Sequence, residues 1–222
     1  METARPSLSL RYLIREPKEK HEHPPLLLLL HGYGANEADL FDLARDIPAE
    51  FLVLSVRAPR TLTEGSYSWF AIDFSSGSPV NDKAQAEESR LLLKKFIDEA
   101  VVAWNADRAN IVLVGFSQGA IMSASVALTF PHSLRAIAML SGRILEEIRP
   151  HVKESDRLKK LDVFIGHGTE DTVLRVDFAR EANAYLATLG ITSEYHEYPT
   201  SHGIIKEEKD SLLVWLGKIS RR

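Results

Sequence analysis

Five nearly continuous apolar runs limit the folds open to this chain more than any other feature of its sequence. They begin at residues 26, 51, 111, 136 and 161 and read LLLLLHG, FLVLSVRAP, IVLVGFS, AIAML and LDVFIGHG. Side chains alternate between the two faces of a strand, so a strand that is apolar throughout is buried on both faces, as in a parallel sheet. The alternating stretch SLSLRYLIRE predicts a half-buried edge strand before them, and TSEYHEYP predicts a final strand after them.

Helical patterns lie between and after these strands, at residues 84–105, 118–130, 175–189 and 206–219. The first pattern has one apolar stripe, formed by Leu93, Phe96, Ile97, Ala100, Val101 and Trp104. Pro131 stops the second pattern and Gly190 ends the third. Alternating strands and helices imply a mostly parallel central sheet with right-handed crossovers and helices on both faces. We therefore predict an α/β fold in a single domain that spans residues 1–222.

Composition excludes several classes of function. The formal net charge of −4 comes from interspersed charges, so no basic stripe predicts nucleic acid or anionic lipid as a partner. The chain contains no cysteine, which rules out a disulfide, a thiol nucleophile or a thiolate metal site and fits a reducing compartment such as the cytoplasm. His21 and His23 lie in a short charged turn and are expected to be exposed, so we predict no metal site.

No segment predicts membrane insertion or export. The first twenty residues begin with an acid and lack an apolar core followed by a small-residue cleavage site, so we expect no signal peptide. The longest purely apolar run, Leu26 to Leu30, is far shorter than the ~20 residues that a membrane-spanning helix needs. We expect no integral membrane association.

Polar motifs follow the apolar runs at the points where the predicted strands end. They read HGYG from residue 31, GFSQG from 115, HGTED from 167 and TSHG from 200. In open parallel sheets, ligands bind beyond the carboxyl ends of the strands. The four motifs are therefore expected to share one rim of the sheet.

Within GFSQG, Ser117 occupies a predicted turn from strand to helix. Gly115 and Gly119 are expected there because such a turn is strained and packed too closely for a Cβ. The following helix would direct its N-terminal amides at charge that develops beside the serine. The backbone amides of Tyr33 and Gln118 are our candidate oxyanion-hole pair.

Two further motifs supply the groups that a serine nucleophile needs. Asp171 follows the strand DVFIGHG, and His202 lies in the loop after the final strand. A serine hydroxyl needs a neighbouring base, and an imidazole base works best when a carboxylate fixes its tautomer. The order Ser117, Asp171, His202 is the chain order of α/β-hydrolase triads.

The stretches LLLHGYGANEADLFDLA, RAPR, GSYSWFAIDF, NIVLVGFSQGA, HGTEDTVL and SHGI together resemble the phospholipase/carboxylesterase branch of the α/β-hydrolases, which includes acyl-protein thioesterases. The likeness extends from about residue 25 to the last helix. It implies a single-domain serine esterase that needs no metal or other cofactor, with Ser117 as nucleophile and Asp171 and His202 as its partners.

The loop GYGANE and the short segment before the Trp-Phe pair depart from the acyl-protein thioesterase pattern, so the resemblance favours a bacterial-type carboxylesterase. Ser201 also departs from the family, which often has glycine directly before the histidine.

The remaining residues have a functional and a structural interpretation. We favour a structural role for His31 and His167, because each precedes a glycine at a strand end. The family pattern favours Asp171 over Glu170 as the acid. The resemblance places Trp69 at the acyl pocket as a substrate-binding residue, with a simple core aromatic as the alternative. The charged stretch from Arg143 to Lys160 is too short and polar for a large lipase-type lid.

These observations predict hydrolysis of carboxylic esters with small to medium acyl chains, with thioesters as a further substrate class. A peptidase or lactone hydrolase is an alternative, since the same triad serves many acyl compounds. A hydrolase-like receptor that binds a small acyl compound without turnover is another. The expected partner is a small-molecule ester, and the resemblance is compatible with a homodimer.

Overall fold

The computed structural model describes residues 6–19, 21–73, 75, 80–152 and 155–220, and its centre is a seven-stranded sheet. The strands of the described residues are β1 (Tyr12–Arg15), β2 (Leu26–Leu30), β3 (Leu52–Val56), β4 (Arg60–Thr63), β5 (Ser66–Ser68), β6 (Ile72–Asp73), β7 (Val80–Asn81), β8 (Ile111–Phe116), β9 (Ala136–Leu140), β10 (Asp162–Gly168) and β11 (Ser193–Tyr198). The strand order in the central sheet is β1-β3-β2-β8-β9-β10-β11. Only β1, at one edge, is antiparallel to its neighbour. The predicted mostly parallel sheet is confirmed.

In the described part of the chain, four α-helices connect and follow these strands close to the predicted positions. They are α1 (Lys83–Ala103), α2 (Gln118–Thr129), α3 (Asp177–Thr188) and α4 (Lys206–Ser220). The side chain of Asp82 caps the start of α1 by accepting a hydrogen bond from the Gln85 amide, 3.0 Å away. The helix ends at Ala103, with Trp104 as its C-cap, and Asn105 then adopts a left-handed φ of 50°. Trp104 therefore lies just beyond the helix on which the sequence placed it.

The continuous apolar runs form strands that are buried on both faces, as expected. In β2, Leu26, Leu28 and Leu30 pack into a core that includes residues of α1, α2 and α3. Leu27 and Leu29 point to the opposite face, where α4 and a short 3-10 helix (Phe41–Arg45) complete a second core. All five leucines are fully buried. Helices thus cover both faces of the sheet.

Two small hairpins between β3 and α1 were not predicted. β4 pairs with β5, and β6 pairs with β7, in both cases antiparallel. Gly65, with a φ of 76°, lies in the turn between β4 and β5. Three of the four residues of β4 are exposed, so no alternation of apolar residues marked this strand in the sequence.

Some residues used in the sequence analysis lie outside the described part of the chain. They are the first five residues and Lys20 of the opening segment, Phe74 of the SYSWFAIDF stretch, and Lys153 and Glu154 of the charged connection. The described parts of that connection form two short 3-10 helices, Glu146–His151 and Leu158–Lys160. Among the described residues, no helix combines the length and the apolar character needed to cross a bilayer.

Candidate active site

Ser117 occupies the turn between the buried strand β8 and the buried helix α2. Its backbone is left-handed, with φ 53° and ψ −116°, which is a strained conformation for a residue with a Cβ. A Cβ added to Gly115 would lie 2.3 Å from the carbonyl group of Gly119, and one added to Gly119 would lie 1.9 Å from the carbonyl oxygen of Leu30. The predicted lack of space for a Cβ on either side of the serine is therefore confirmed.

The structure brings Ser117, His202 and Asp171 together although Ser117 and His202 are 85 residues apart in the chain. The Oγ of Ser117 lies 3.0 Å from Nε2 of His202, and Nδ1 of His202 lies 2.6 Å from Oδ2 of Asp171. A carboxylate only accepts hydrogen bonds, so Nδ1 carries the proton that is donated to Asp171. Nε2 is then free to accept the Ser117 hydroxyl proton, which is the arrangement that a general base requires.

Asp171 is held in place by its own loop. Its Oδ1 accepts hydrogen bonds from the backbone amides of Val173 and Leu174, each at 2.8 Å. His167 is fully buried beneath this loop and donates from Nε2 to the carbonyl oxygen of Leu174, 2.6 Å away. This contact agrees with the predicted structural role of His167. Glu170, the rival carboxylate, is exposed.

The loop that carries His202 packs directly on the end of β10. A Cβ added to Gly168 would lie 2.3 Å from the carbonyl oxygen of Thr200 and 2.5 Å from that of Ser201. Ser201 is exposed and is not among the residues with a left-handed φ, so the loop does not need glycine at this position. The ring of Phe116 packs against the imidazole of His202, with 5.0 Å between the two ring centroids.

The two predicted oxyanion donors flank the serine. A Cβ added to Gly32 would lie 3.3 Å from Cβ of Ser117, so the loop after β2 contacts the nucleophile directly. Within the described residues, the backbone amides of Tyr33 and Gln118 have no hydrogen-bond acceptor, and both residues line the same cavity as Ser117. The amide of Gln118 is also at the N-terminus of α2, where the helix dipole favours negative charge. This pair is thus placed to receive an oxyanion.

Neighbouring elements hold the Tyr33 loop open. The Gly34 amide donates to the carbonyl oxygen of Tyr67 in β5 at 2.8 Å, with Gly34 at a φ of 81°. His31 is buried, donates from Nδ1 to the Gly32 carbonyl at 2.7 Å and accepts from the Ala58 amide at 3.0 Å. Burial lowers the pKa of His31, which keeps the imidazole neutral for these two bonds. The predicted structural role of His31 agrees with these contacts.

Trp69 does not reach the cavity that contains Ser117. It is completely buried, and its indole N–H donates to the carbonyl oxygen of His31 at 3.0 Å. Phe70, the next residue, lines the cavity instead. The structure therefore corrects the placement of Trp69 at the acyl pocket and agrees with the alternative of a core aromatic: its ring packs behind the loop that carries Tyr33.

The side chain of Gln118 has a role that the sequence analysis missed. Its Oε1 accepts a hydrogen bond from the Trp69 amide at 3.0 Å, and its Nε2 donates to the carbonyl oxygen of Phe70 at 2.9 Å. The residue next to Ser117 thus fixes the backbone of the cavity wall. Only the folded chain shows this link, because 49 residues separate Gln118 from Trp69.

The cavity beside Ser117 has a volume of about 470 Å³, and its wall is mostly apolar. Its apolar side chains are those of Ala35, Phe70, Ile72, Phe116, Ile121, Val173, Leu174 and Phe178. Pockets of this size, with few polar groups, are typical of small-molecule sites. From the charged connection that follows β9, Arg143 is the one described residue that lines the cavity.

The sequence did not lead us to predict Arg143 as a site residue, although a signal was present. It follows the apolar run AIAML by three residues, as the other site residues follow their own strands.

In the part of the chain that the structure describes, no group of three or more His, Cys, Asp or Glu residues could hold a metal ion. His21 and His23 are exposed.

Comparisons with known proteins agree with this fold. Residues 12–219 match the phospholipase/carboxylesterase family. MhqD of Bacillus subtilis is 30% identical over 89% of this chain and 94% of its own length, and acyl-protein thioesterase 1 of Mycosarcoma maydis is 28% identical over 95% and 97%. The crystal structure of a Bacillus cereus carboxylesterase superposes with a TM-score of 0.81 at 27% identity, covering 95% of this chain and 94% of that one. The resemblance found in the sequence is confirmed, and the chain belongs to the phospholipase/carboxylesterase family of α/β-hydrolases.

Proposed function

We propose that this carboxylic ester hydrolase acts through an acyl-enzyme formed on Ser117. The observation that carries the proposal is the pair of hydrogen bonds from Ser117 Oγ to His202 Nε2, at 3.0 Å, and from His202 Nδ1 to Asp171 Oδ2, at 2.6 Å. These bonds lie beside an apolar cavity that is large enough for a small-molecule ester. A receptor without turnover has no need of this complete arrangement.

In the acylation step, Ser117 Oγ attacks the ester carbonyl carbon while His202 Nε2 takes the hydroxyl proton. Asp171 accepts a hydrogen bond from Nδ1 throughout and stabilises the imidazolium that forms. The carbonyl oxygen becomes an oxyanion and receives hydrogen bonds from the amides of Tyr33 and Gln118. Collapse of this intermediate breaks the bond to the alcohol, which leaves with the proton from His202.

In the deacylation step, water replaces the alcohol. The oxygen of the water attacks the acyl carbon while His202 takes a proton from the water. The amides of Tyr33 and Gln118 stabilise the second oxyanion. Collapse releases the carboxylic acid and returns the proton to Ser117 Oγ. Both steps use the same groups, so no metal or other cofactor enters the proposed mechanism.

The proposed substrates are esters with small to medium acyl chains. The cavity volume of about 470 Å³ and its eight apolar side chains support this class. Thioesters are a second candidate class, supported by the 28% identity to acyl-protein thioesterase 1 of Mycosarcoma maydis. The GYGANE loop and the short segment before Trp69 and Phe70 still favour a bacterial-type carboxylesterase.

The proposal is tested with p-nitrophenyl esters from acetyl to palmitoyl and one acyl thioester. The wild type is expected to turn over at least the short and medium esters, and Ser117→Ala is expected to reduce kcat by ~10⁴- to 10⁶-fold. The optimum chain length then measures the usable length of the cavity. A folded wild type that cleaves none of these compounds, or a Ser117→Ala variant with unchanged activity, would contradict the proposal.

We further propose one domain over residues 1–222 and a cytoplasmic location. The proposal of one domain is supported by the central sheet, whose strands lie between residues 12 and 198. The proposal of a cytoplasmic location is supported by the absence of cysteine from the sequence. A homodimer rests on the family resemblance alone. The interspersed charges of the chain support a small molecule, not nucleic acid, as the partner.

A further inference from the structure

The cavity beside Ser117 is lined by one cationic side chain that the proposed mechanism does not use, that of Arg143. This residue lies three positions after the end of β9, the strand next to β8 in the sheet. It lines the cavity together with Ser117 and His202. Its guanidinium carbon lies 5.1 Å from the centre of the Phe178 ring, another part of the cavity wall, and this packing holds the side chain in place.

The guanidinium of Arg143 forms no direct ion pair among the described residues. It takes part in none of the hydrogen bonds or ion pairs found there, and its Nε is buried without an acceptor. Glu147, four residues further along the chain, forms its ion pair with Lys83, with 3.0 Å between Oε1 and Nζ, and interacts with Arg143 only electrostatically at longer range. Arg143 is partly buried, and a buried N–H group without an acceptor is costly. An anionic ligand in the cavity would supply the missing acceptor.

The other charges in the cavity wall define where this anion would lie. Besides His202, the charged side chains that line the cavity are those of Arg143 and Asp39. Asp39 belongs to the segment after β2 and Arg143 to the segment after β9, and β8, which leads to Ser117, lies between these strands. An anionic group next to Arg143 would thus be on the side away from Asp39, and the rest of the ligand would meet mainly apolar side chains.

We propose that Arg143 binds a carboxylate carried by the ester substrate, so that the preferred substrates are anionic esters. A planar guanidinium fits a carboxylate through two parallel hydrogen bonds, which would satisfy the buried Nε. This inference rests on the proposed function, because the same bound molecule must present its ester carbonyl to Ser117. It assigns Arg143 a role in substrate specificity and leaves the chemical step to the triad.

Two matched pairs of substrates test whether the carboxylate belongs to the acyl part or to the alcohol part. The first pair is mono-p-nitrophenyl adipate and p-nitrophenyl hexanoate, and the second is para-carboxyphenyl butyrate and para-carbamoylphenyl butyrate. We expect the wild type to prefer the anionic member of at least one pair by ~10-fold or more in kcat/KM. Spontaneous hydrolysis is subtracted for each compound.

Variants then assign the preference to one side chain. Arg143→Gln should lower kcat/KM for the preferred anionic ester by ~10- to 100-fold and change that of its neutral partner by less than ~3-fold. Arg143→Lys should retain part of the preference. Arg149→Gln is the matched control, because Arg149 also lies over an aromatic ring, 4.7 Å from the centre of Tyr185, but does not line the cavity. It should behave as the wild type.

The inference is overturned if the wild type shows no preference in either pair, or if Arg143→Gln slows both members equally. A wild type that cleaves none of the four esters contradicts the proposed function, and calorimetric titration with free adipate then decides the role of Arg143. Binding that weakens at least ~10-fold in Arg143→Gln supports the anion site without turnover. No binding to the wild type, or equal binding to both proteins, refutes it.

Discussion

At the scale of single residues, hydrogen bonds from neighbouring groups fix the orientation and the tautomer of the side chains in the site. Asp171 uses one carboxylate oxygen for two backbone amides and the other for His202. The imidazole therefore has one tautomer available for catalysis, with Nε2 facing Ser117. In the proposed site, Gln118 has two roles: its backbone amide is the proposed oxyanion donor, and its side chain holds the cavity wall.

Replacing Asp171 with asparagine tests this arrangement. An asparagine amide can present an N–H group to Nδ1, which would favour the tautomer with the proton on Nε2 and block its action as a base. We expect kcat for a p-nitrophenyl ester at neutral pH to fall by ~10⁴-fold. Glu170→Gln is the control, since it removes the exposed neighbouring carboxylate, and it should leave kcat within ~3-fold of the wild type. Comparable losses in both variants would contradict the assignment of Asp171.

At the scale of elements, the joint between β8 and α2 is packed backbone against backbone. Gly119→Ala places a Cβ 1.9 Å from the Leu30 carbonyl oxygen, so we expect the free energy of unfolding to fall by ~3 kcal/mol or more. Gly217→Ala in α4 is the matched control, because an added Cβ there meets nothing within 4 Å. It should stabilise the protein by ~0.5–1 kcal/mol. Urea denaturation measures both effects, and a fully stable Gly119→Ala variant would show that the joint is looser than described.

The same helix α4 carries a carboxyl group in an unfavourable place. Glu208 is fully buried, neither of its oxygens has a hydrogen-bond partner among the described residues, and it lies over Gly166 of β10. Burial raises its pKa to about 7. The folded protein thus holds this proton to a higher pH than the unfolded chain, whose glutamate has an ordinary pKa of 4.5. The contribution of Glu208 to the free energy of unfolding is therefore largest below the ordinary pKa and is lost as the pH rises to about 7.

Glu208→Gln should remove this dependence on pH. We expect the free energy of unfolding of the variant, relative to that of the wild type, to be ~2.5 kcal/mol higher at pH ~8 than at pH ~5, because the neutral amide never has to ionise in the core. Glu207→Gln, an exposed neighbour in the same turn, should show no such gain. Urea denaturation at the two pH values gives the comparison. A constant difference between Glu208→Gln and the wild type would mean that Glu208 is solvated in the folded state.

At the scale of the whole molecule, the sheet topology assembles the site from distant parts of the chain. The neighbouring strands β2, β8, β9 and β10 each end at the same rim, and the loop after β11 completes it. The sequence predicted this because buried parallel strands have a distinctive apolar pattern and polar residues follow them. The strand ends predicted that Ser117, Asp171 and His202 lie at one rim, and the family pattern was needed to choose Asp171 over Glu170.

Other parts of the site could not be predicted from local pattern. The position of Trp69 depends on its hydrogen bond to His31, 38 residues earlier in the chain, and on the hairpin of β4 and β5. The exposed residues of β4 follow no period that distinguishes a strand from a loop. Arg143 follows a strand end in the sequence, but only the folded protein shows that its Nε is buried without an acceptor.

Labelling with a fluorescent fluorophosphonate tests the central claim, that His202 activates Ser117, most directly. The reagent reacts only with an activated serine, and mass spectrometry of the digested protein identifies the modified residue. We predict rapid labelling of the wild type at Ser117, no labelling of Ser117→Ala, and labelling of His202→Ala slowed by ~10³-fold or more. Labelling at another residue, or equal rates in the wild type and His202→Ala, would contradict the account.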